Sequence, residues 1–426
     1  MHTLPAGATS RASGLVSHTL TVATVIYLLI LPFTSSAALR NVALGIAVAC
    51  AAFIGFRDRA KLPAVPRPLA YALLFWALWC AASWFWSLNP TYTANELRHE
   101  IIRPALVFGV FFIAAEHRMF RLWTWTLMCG IVLLSAVAAW QLVRFGVWNP
   151  DRFHGGVGPY STWLVMVFPL SLALLLPRSS LLFDLGKAKW PLSLLFVALI
   201  MANAYLTMNR IVWFAFSVTI LVFFLIYIFA PWGFVRERVN VVAVGISLMV
   251  AQSVAFGVVA LEKTHIPSTA APSVHESIAE DARIRLWPYV IKRIGDAPII
   301  GHGFGRGILL TDLHNNFNDS TLWHGHNILL NSMLETGAIG FAAMLAILCA
   351  LVWRYFTYLR TSRMEVAAFG IVGLAFLAGF LAKNMTDDFM VRHTGQLFWA
   401  LNGILIGLGE RMLHRKTPAA VSEYSR

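Results

Sequence analysis

Charge is scarce in this sequence. Asp, Glu, Lys and Arg supply 12% of 426 residues, where a soluble domain carries about 25%. Cysteine is scarce as well. Cys50, Cys80, Cys129 and Cys349 all fall inside apolar runs, with no CxxC spacing, which excludes a disulfide framework and a thiolate metal site. Alternating segments of about ten residues are missing, so a membrane β-barrel is excluded. There is no internal repeat and no low-complexity tract. The stretch "GHGFGRG" falls short of a nucleotide loop, because Arg306 stands where GxGxxG needs its last glycine and no strand precedes it. A net charge of +13 could suggest nucleic acid, but no soluble domain exists to present a basic face. No nucleic-acid partner is expected.

What is abundant is apolar length. Hydrophobic residues make up 58% of the chain, and runs of about 20 recur throughout, the length that crosses a bilayer as a helix. Twelve spans are predicted, at 16–34, 37–56, 68–88, 101–115, 121–145, 159–177, 190–206, 209–230, 238–261, 327–353, 364–383 and 391–411. The first run lacks a small-residue cleavage site and reads as a retained span, not a signal peptide. The chain therefore divides into spans one to nine (1–261), a long loop (262–326), spans ten to twelve (327–411) and a tail (412–426). The expected fold class is all-α, polytopic and integral to a membrane.

Orientation follows from the basic residues. With the N-terminus inside, the inner loops hold 19 Lys and Arg and the outer ones 14, six of them in the long loop. Without that loop the ratio is 19 to 8, so both termini are predicted to be cytoplasmic. Within the outer loop, 280–294 reads as an amphipathic helix with Ile284, Trp287 and Ile291 on one face. "GDAPIIGHGFGRG" reads as a flexible turn that shapes a cavity. "HNNFNDSTLWHGHN" leads into the tenth span.

Outward-facing cations run against the charge bias, and each needs a reason. Arg210, in "LTMNRIVWFAF", lies between two apolar runs with no acid nearby in sequence. It faces a watery cavity or snorkels from a helix end. Arg283 can pair with Glu280 or Asp281, which leaves Arg285 as the stronger binding candidate. Arg98, Arg103, Arg144, Arg152 and Lys383 share the outer side, and Arg103 and Arg152 are further candidates for the same pocket. Converging guanidinium groups match a diphosphate, whose oxygens they grip bidentately.

His302, His314, His324 and His326 lie within 25 residues. Their spacing matches no strong zinc signature, so no metal is expected. His326 and Asn327 open the tenth span. The positive helix end there favours a neutral imidazole able to take a proton near pH 7. His326 is then a general base or a capping and gating residue, with His324 beside it. Glu335, Asp387 and Asp388 are rival bases; the last two stand in "KNMTDDF" near Lys383.

The motif of His326 and Asn327, followed after nine residues by "GAIG" with Gly337 and Gly340, resembles the signature of O-antigen ligases. These share a superfamily with O-antigen polymerases and protein O-oligosaccharyltransferases. The likeness extends over the twelve spans and the long outer loop, and is most specific in 283–340. Arg210 in "NRIVW" matches the family's arginine more loosely, since the usual glycine after it is missing. The resemblance implies a C-type glycosyltransferase fold in the bacterial inner membrane, with an active site facing the periplasm and no cofactor. The implied donor is a polysaccharide on undecaprenyl diphosphate, and the implied acceptor is lipid A–core oligosaccharide. His326 would be the general base of an inverting displacement, with Arg210 and Arg285 on the diphosphate; Asp388 is a further candidate. A polymerase, a protein-directed transferase and, from another class, a polyprenyl-glycan flippase or anion transporter compete with this reading. A transporter would show discontinuous helices and two related halves, neither of which is legible in the sequence.

Overall fold

Every predicted span coincides with a helix. The computed structural model describes residues 6–59, 62–176, 186–229, 235–264, 282–319 and 321–414. Glu280, Asp281, most of the 178–189 segment and the tail beyond 414 lie outside them. The helices are α1 (Ala6–Ile30), α2 (Ala37–Arg57), α3 (Arg67–Ala82), α4 (Pro90–Glu96), α5 (Arg103–Ala114), α6 (His117–Phe145), α7 (Asp151–His154) and α8 (Val157–Ala173). There follow α9 (Lys189–Leu206), α10 (Arg210–Phe229), α11 (Val235–Thr264), α12 (Ala282–Asp296), α13 (Leu310–Phe317), α14 (Ile328–Leu359), α15 (Met364–Asn384) and α16 (Arg392–His414). No strand occurs among the described residues, and the protein is an all-α polytopic membrane protein.

Eight of these helices are long and apolar enough to cross a membrane on those criteria alone, and Gly14–Ile30 and Val157–Ala173 are shorter apolar stretches. The two remaining predicted spans differ for physical reasons. A π-helical turn over Leu97–Ile102 joins α4 to α5 and leaves α5 only 12 residues. α16 carries buried polar groups such as Gln396, Asn402 and Glu410, which lower its hydropathy. Those groups find partners inside the bundle: Tyr27 donates to Gln396 at 2.8 Å and Tyr355 donates to Asn402 at 2.8 Å, as a low-dielectric interior requires.

α16 packs along α5, α10 along α15, and α14 against α3 and α15. α8, α15 and α16 are buried along most of their lengths and form the centre. α2, α3 and α11 leave Val42, Phe56, Tyr71, Leu74 and Val250 exposed, as a lipid-facing surface does. At the end away from the long loop, Arg354 clasps the buried Glu410, which also accepts from Tyr358 at 2.7 Å.

The tenth span is interrupted, contrary to the expectation of unbroken helices. Gly337 sits inside α14 with φ 64° and ψ −169°. The interruption frees the carbonyls of Leu334 and Glu335, which accept from His302 and Gly303, each at 2.9 Å. Ala338 N–H donates in return to Pro298 at 2.9 Å. The glycine-rich stretch predicted as a flexible turn is thus hydrogen-bonded into the helix break. A Cβ on Gly337 would stand 2.3 Å from the Ile299 carbonyl, so only glycine meets both the left-handed φ and the close approach.

The loop helix also turns a different face inward. Ile284 and Ile291 are exposed, while Leu286 and Val290 are buried with Leu309, Leu313 and Leu322. Of the predicted apolar face only Trp287 is partly covered, and its indole N–H donates to Gly325 at 3.1 Å. Packing against Ile308, Leu309, Leu313 and Leu322 decides this face; helical periodicity alone offers two.

Candidate active site

Asn327 is the N-cap of α14. Its Oδ1 accepts from Leu329 N–H at 2.9 Å and from Leu330 N–H at 3.1 Å. Its Nδ2 donates to the Met385 carbonyl at 2.8 Å, which ties the start of α14 to the turn after α15. His326, one residue before the cap, has φ 46°. A left-handed φ on a non-glycine residue costs energy and persists only where its surroundings enforce it.

Two hydrogen bonds assign the imidazole tautomers. His326 backbone N–H donates to Nδ1 of His324 at 3.0 Å. That Nδ1 is an acceptor, so the ring proton of His324 is on Nε2, which points at Asp387 Oδ1 at 3.5 Å. His326 Nε2 lies 3.0 Å from the Thr321 carbonyl. A carbonyl only accepts, so Nε2 carries the proton there. Nδ1 of His326 is then the basic nitrogen of the neutral ring; it too faces Asp387 Oδ1 at 3.5 Å and is buried without a hydrogen-bond partner. The two imidazoles stack, with centroids 3.9 Å apart and planes 24° from parallel.

The electrostatics separate the roles. Burial pushes His324 well below the usual imidazole range, and the charges of Arg306 and His326 add to it, so His324 stays neutral. Burial would raise Asp387, but the facing His326 imidazole and the charge of Lys383 outweigh that and hold it below the usual carboxylate range. Its neighbour goes the other way: burial pushes Asp388 up. Asp388 accepts from Asn331 at 2.9 Å and from Met390 N–H at 3.2 Å.

Arg306 joins these groups. It donates to the Asp388 carbonyl and lies over the Trp323 ring at 4.4 Å. Trp323 in turn meets His324 edge-on at 4.4 Å. Below lies a cavity of about 50 Å³, lined by Arg306 and by the carboxyl-bearing Glu100, Glu335 and Asp388. Glu335 accepts from Gly305 N–H at 3.0 Å.

The predicted residues are not all brought together. Arg210 opens α10 with one guanidinium nitrogen, Nη1, buried and unpartnered. Thr219 stands against Gly379, and nine residues from each toward the loop end bring Arg210 level with the turn after α15, about 13 Å farther on. Arg283 rather than Arg285 faces the histidines: its charge acts on His324 and Lys383. Arg285 is exposed, and its charge acts on Asp319. Residues two apart in a helix point about 200° apart, so one helix presents only one of them to the site. Arg152 is exposed between the Phe145 and Phe153 rings, at 5.3 and 5.4 Å. Arg103 stands instead with Arg40 near Tyr27. His302 is engaged by the Arg293 carbonyl at 2.8 Å, and neither it nor His314 joins His324.

Sequence reasoning passed over Arg306 as a failed glycine and treated Asp387 only as a rival base. The one signal available for Asp387 was an acid pair between two spans. No metal was expected, yet His324, His326 and Asp387 offer ligand atoms within 4.8 Å of one another. The arrangement can hold a borderline cation as well as a proton.

A curated protein of Haemophilus influenzae, described as uncharacterized, is 25% identical over 130 residues. The match covers 28% of this chain and 31% of the relative's length. Residues 194–345 match the family model described as O-antigen ligase. That segment contains Arg210, Arg283, Arg306, both stacked histidines and the break at Gly337. The likeness to the O-antigen ligase family thus lies in the segment that carries the candidate site.

Proposed function

We propose that the protein transfers a polysaccharide from undecaprenyl diphosphate to a hydroxyl of lipid A–core oligosaccharide, at the loop end of the bundle. On this reading the loop end faces the periplasm from the inner membrane, and both termini are cytoplasmic, as the bias of Lys and Arg supports. The observation that carries the reading is the Asp387 carboxylate, 3.5 Å from Nδ1 of His326 and level with Arg210, whose Nη1 is buried without a partner.

His326 Nδ1 takes the proton of the acceptor hydroxyl. The oxygen attacks the anomeric carbon of the donor, the bond from that carbon to the diphosphate oxygen breaks, and configuration inverts. The diphosphate leaves on its lipid. Asp387 stabilises the imidazolium as it forms, and His324 holds the ring of His326 by stacking. Arg210 and Arg283 face the leaving diphosphate, with Arg283 in the role the resemblance offered to Arg285. A general base contributes about 10²–10⁴-fold. Cations on a leaving group act strongly where water is excluded. No step uses a nucleotide or a bound cofactor.

The test uses purified protein in nanodiscs with a defined undecaprenyl-diphosphate glycan, rough lipopolysaccharide and EDTA, followed by gel shift. Transfer to lipid A–core is expected. Elongation of the lipid-linked donor instead would make the protein a polymerase. Neither product, from folded protein, would overturn the reading in favour of protein acceptors or transport.

A further inference from the structure

A second group of cations gathers at the loop end, beside the histidine site. Arg40 lies in the first turn of α2, Arg103 begins α5, and Arg98 lies in the π-helical turn before it. Arg40 and Arg103 are close enough for their charges to act on each other and on Tyr27. Arg98, Arg103 and Arg392 all act on His99.

The acids in this region are already taken. Arg392 pairs with Glu96 at 2.5 Å and with Glu100 at 3.4 Å, and its backbone N–H donates to both oxygens of Glu100. Among the described residues, Arg98 and Arg103 have no acid partner, and Arg40 donates only to the Leu31 carbonyl at 3.4 Å. Arg392 therefore takes both carboxylates, and Arg40, Arg98 and Arg103 have no part in those pairs. Burial together with the three arginines lowers His99 to about 4, so its ring is a neutral donor at pH 7.

Depth matters as much as charge. α16 and α5 run side by side, with Gly403 against the Phe108 carbonyl and Gly407 against that of Phe112. The same register sets Arg103 beside Phe398, about 9 Å below Arg392. That is the height of a lipid headgroup when Arg392 marks the loop-end surface. An arginine without an acid partner at the depth of Arg103 is costly unless an anion reaches it.

We propose that Arg40, Arg98 and Arg103 form a binding surface for phosphate groups carried on the saccharide lipid that accepts the transferred glycan. The inference rests on the glycosyl-transfer reading above. Guanidinium forks suit phosphate oxygens, and the half-buried placement of Arg40 and Arg103, with Arg98 exposed beside them, suits a phosphate anchored in the leaflet. Continuity favours the acceptor over bulk phospholipid: Arg392 bridges the patch to Glu100, which lines the cavity beneath Arg306 and Asp388. The donor's diphosphate is assigned to Arg210 and Arg283, a separate set of arginines.

The experiment compares wild type with an Arg40→Gln, Arg98→Gln, Arg103→Gln variant, as full chains in phosphatidylcholine nanodiscs. Rough lipopolysaccharide is supplied intact or phosphatase-treated. The variant is expected to raise KM for the intact acceptor about tenfold, with KM for the donor unchanged. Phosphatase treatment should produce the same rise in wild type, and the variant should no longer tell the two acceptors apart. A rise in donor KM, or an equal loss on phosphatase treatment in both proteins, would overturn the proposal. So would an effect that follows added phosphatidylglycerol and ignores acceptor phosphate, which would make the patch a phospholipid anchor. Should the triple variant not fold, the exposed Arg98→Gln alone carries the same comparison. If wild type transfers glycan to neither acceptor, the glycosyl-transfer reading fails by itself. Direct binding of intact against treated lipopolysaccharide then still decides the patch.

Discussion

Nδ1 of His324 accepts a hydrogen bond from the backbone N–H of His326 at 3.0 Å. This contact leaves the ring proton of His324 on Nε2, as the Thr321 carbonyl holds that of His326 on its own Nε2, and it helps hold His326 in its left-handed conformation. It also places both imidazoles on one carboxylate oxygen, that of Asp387. The proposed base is therefore a small assembly of side chains.

His326→Ala is expected to lower the single-turnover transfer rate by about 10²–10⁴-fold. His324→Phe keeps a ring in the stack but removes the Nδ1 acceptor. Its loss should be smaller, about tenfold, as befits a positioning residue. Full activity of His326→Ala in a quantitative gel-shift assay would sink the base assignment.

The two adjacent aspartates should respond oppositely to neutralisation. Asp387 is depressed in the fold, so it adds stability above its unfolded pKa of about 3.9, and that stability is lost as pH falls toward the folded value. Asp387→Asn should therefore lower the melting temperature at pH 7, with the gap closing in acid. Asp388 is raised, so ionising it costs stability as pH rises through its folded pKa. Asp388→Asn, which still accepts from Asn331, should be neutral or stabilising at pH 7. Melting curves of the two variants from pH 7 down to about pH 2 make the comparison.

Arg283→Gln should cost about 10²-fold in kcat/KM for the lipid-diphosphate donor. Arg285→Gln should stay within about twofold, as an exposed charge does. The reverse order would show that the loop helix rotates when substrate binds.

Gly337→Ala should destabilise the protein by about 1–3 kcal/mol from backbone strain alone. The collision with the Ile299 carbonyl should also loosen the 298–303 strap. Limited proteolysis is expected to cut within that strap in the variant and to spare it in wild type.

Micromolar Zn²⁺ should inhibit transfer, and EDTA should restore it, because the cation competes with the proton for His326, His324 and Asp387. His324→Phe should weaken the inhibition. Stimulation by Zn²⁺ would instead overturn the metal-independent mechanism.

Hydropathy determined a great deal here. A bilayer leaves a backbone few ways to satisfy its polar groups, so long apolar runs must be helices, and all twelve are. The N-cap at Asn327 was legible for a similar reason, since capping is local: an oxygen three residues from a free N–H. The same local signal pointed to His326.

What local pattern could not settle was rotation and partnership. The loop helix offers Arg283 and Arg285 on opposite sides, and only packing against Leu309, Leu313 and Leu322 turns Arg283 inward. Asp387 became the partner of His326 because the turn after α15 is bound to the start of α14 through Asn327 and Met385. Those two segments are 58 residues apart, and no periodicity spans that distance. The break at Gly337 exists because a strap 35 residues earlier supplies the hydrogen bonds that the helix gives up. The sequence by itself determined the helices and their approximate ends, through local burial and capping. Only the tertiary structure decided which side chains meet, because hydrogen bonds between distant segments fix the rotation of each helix.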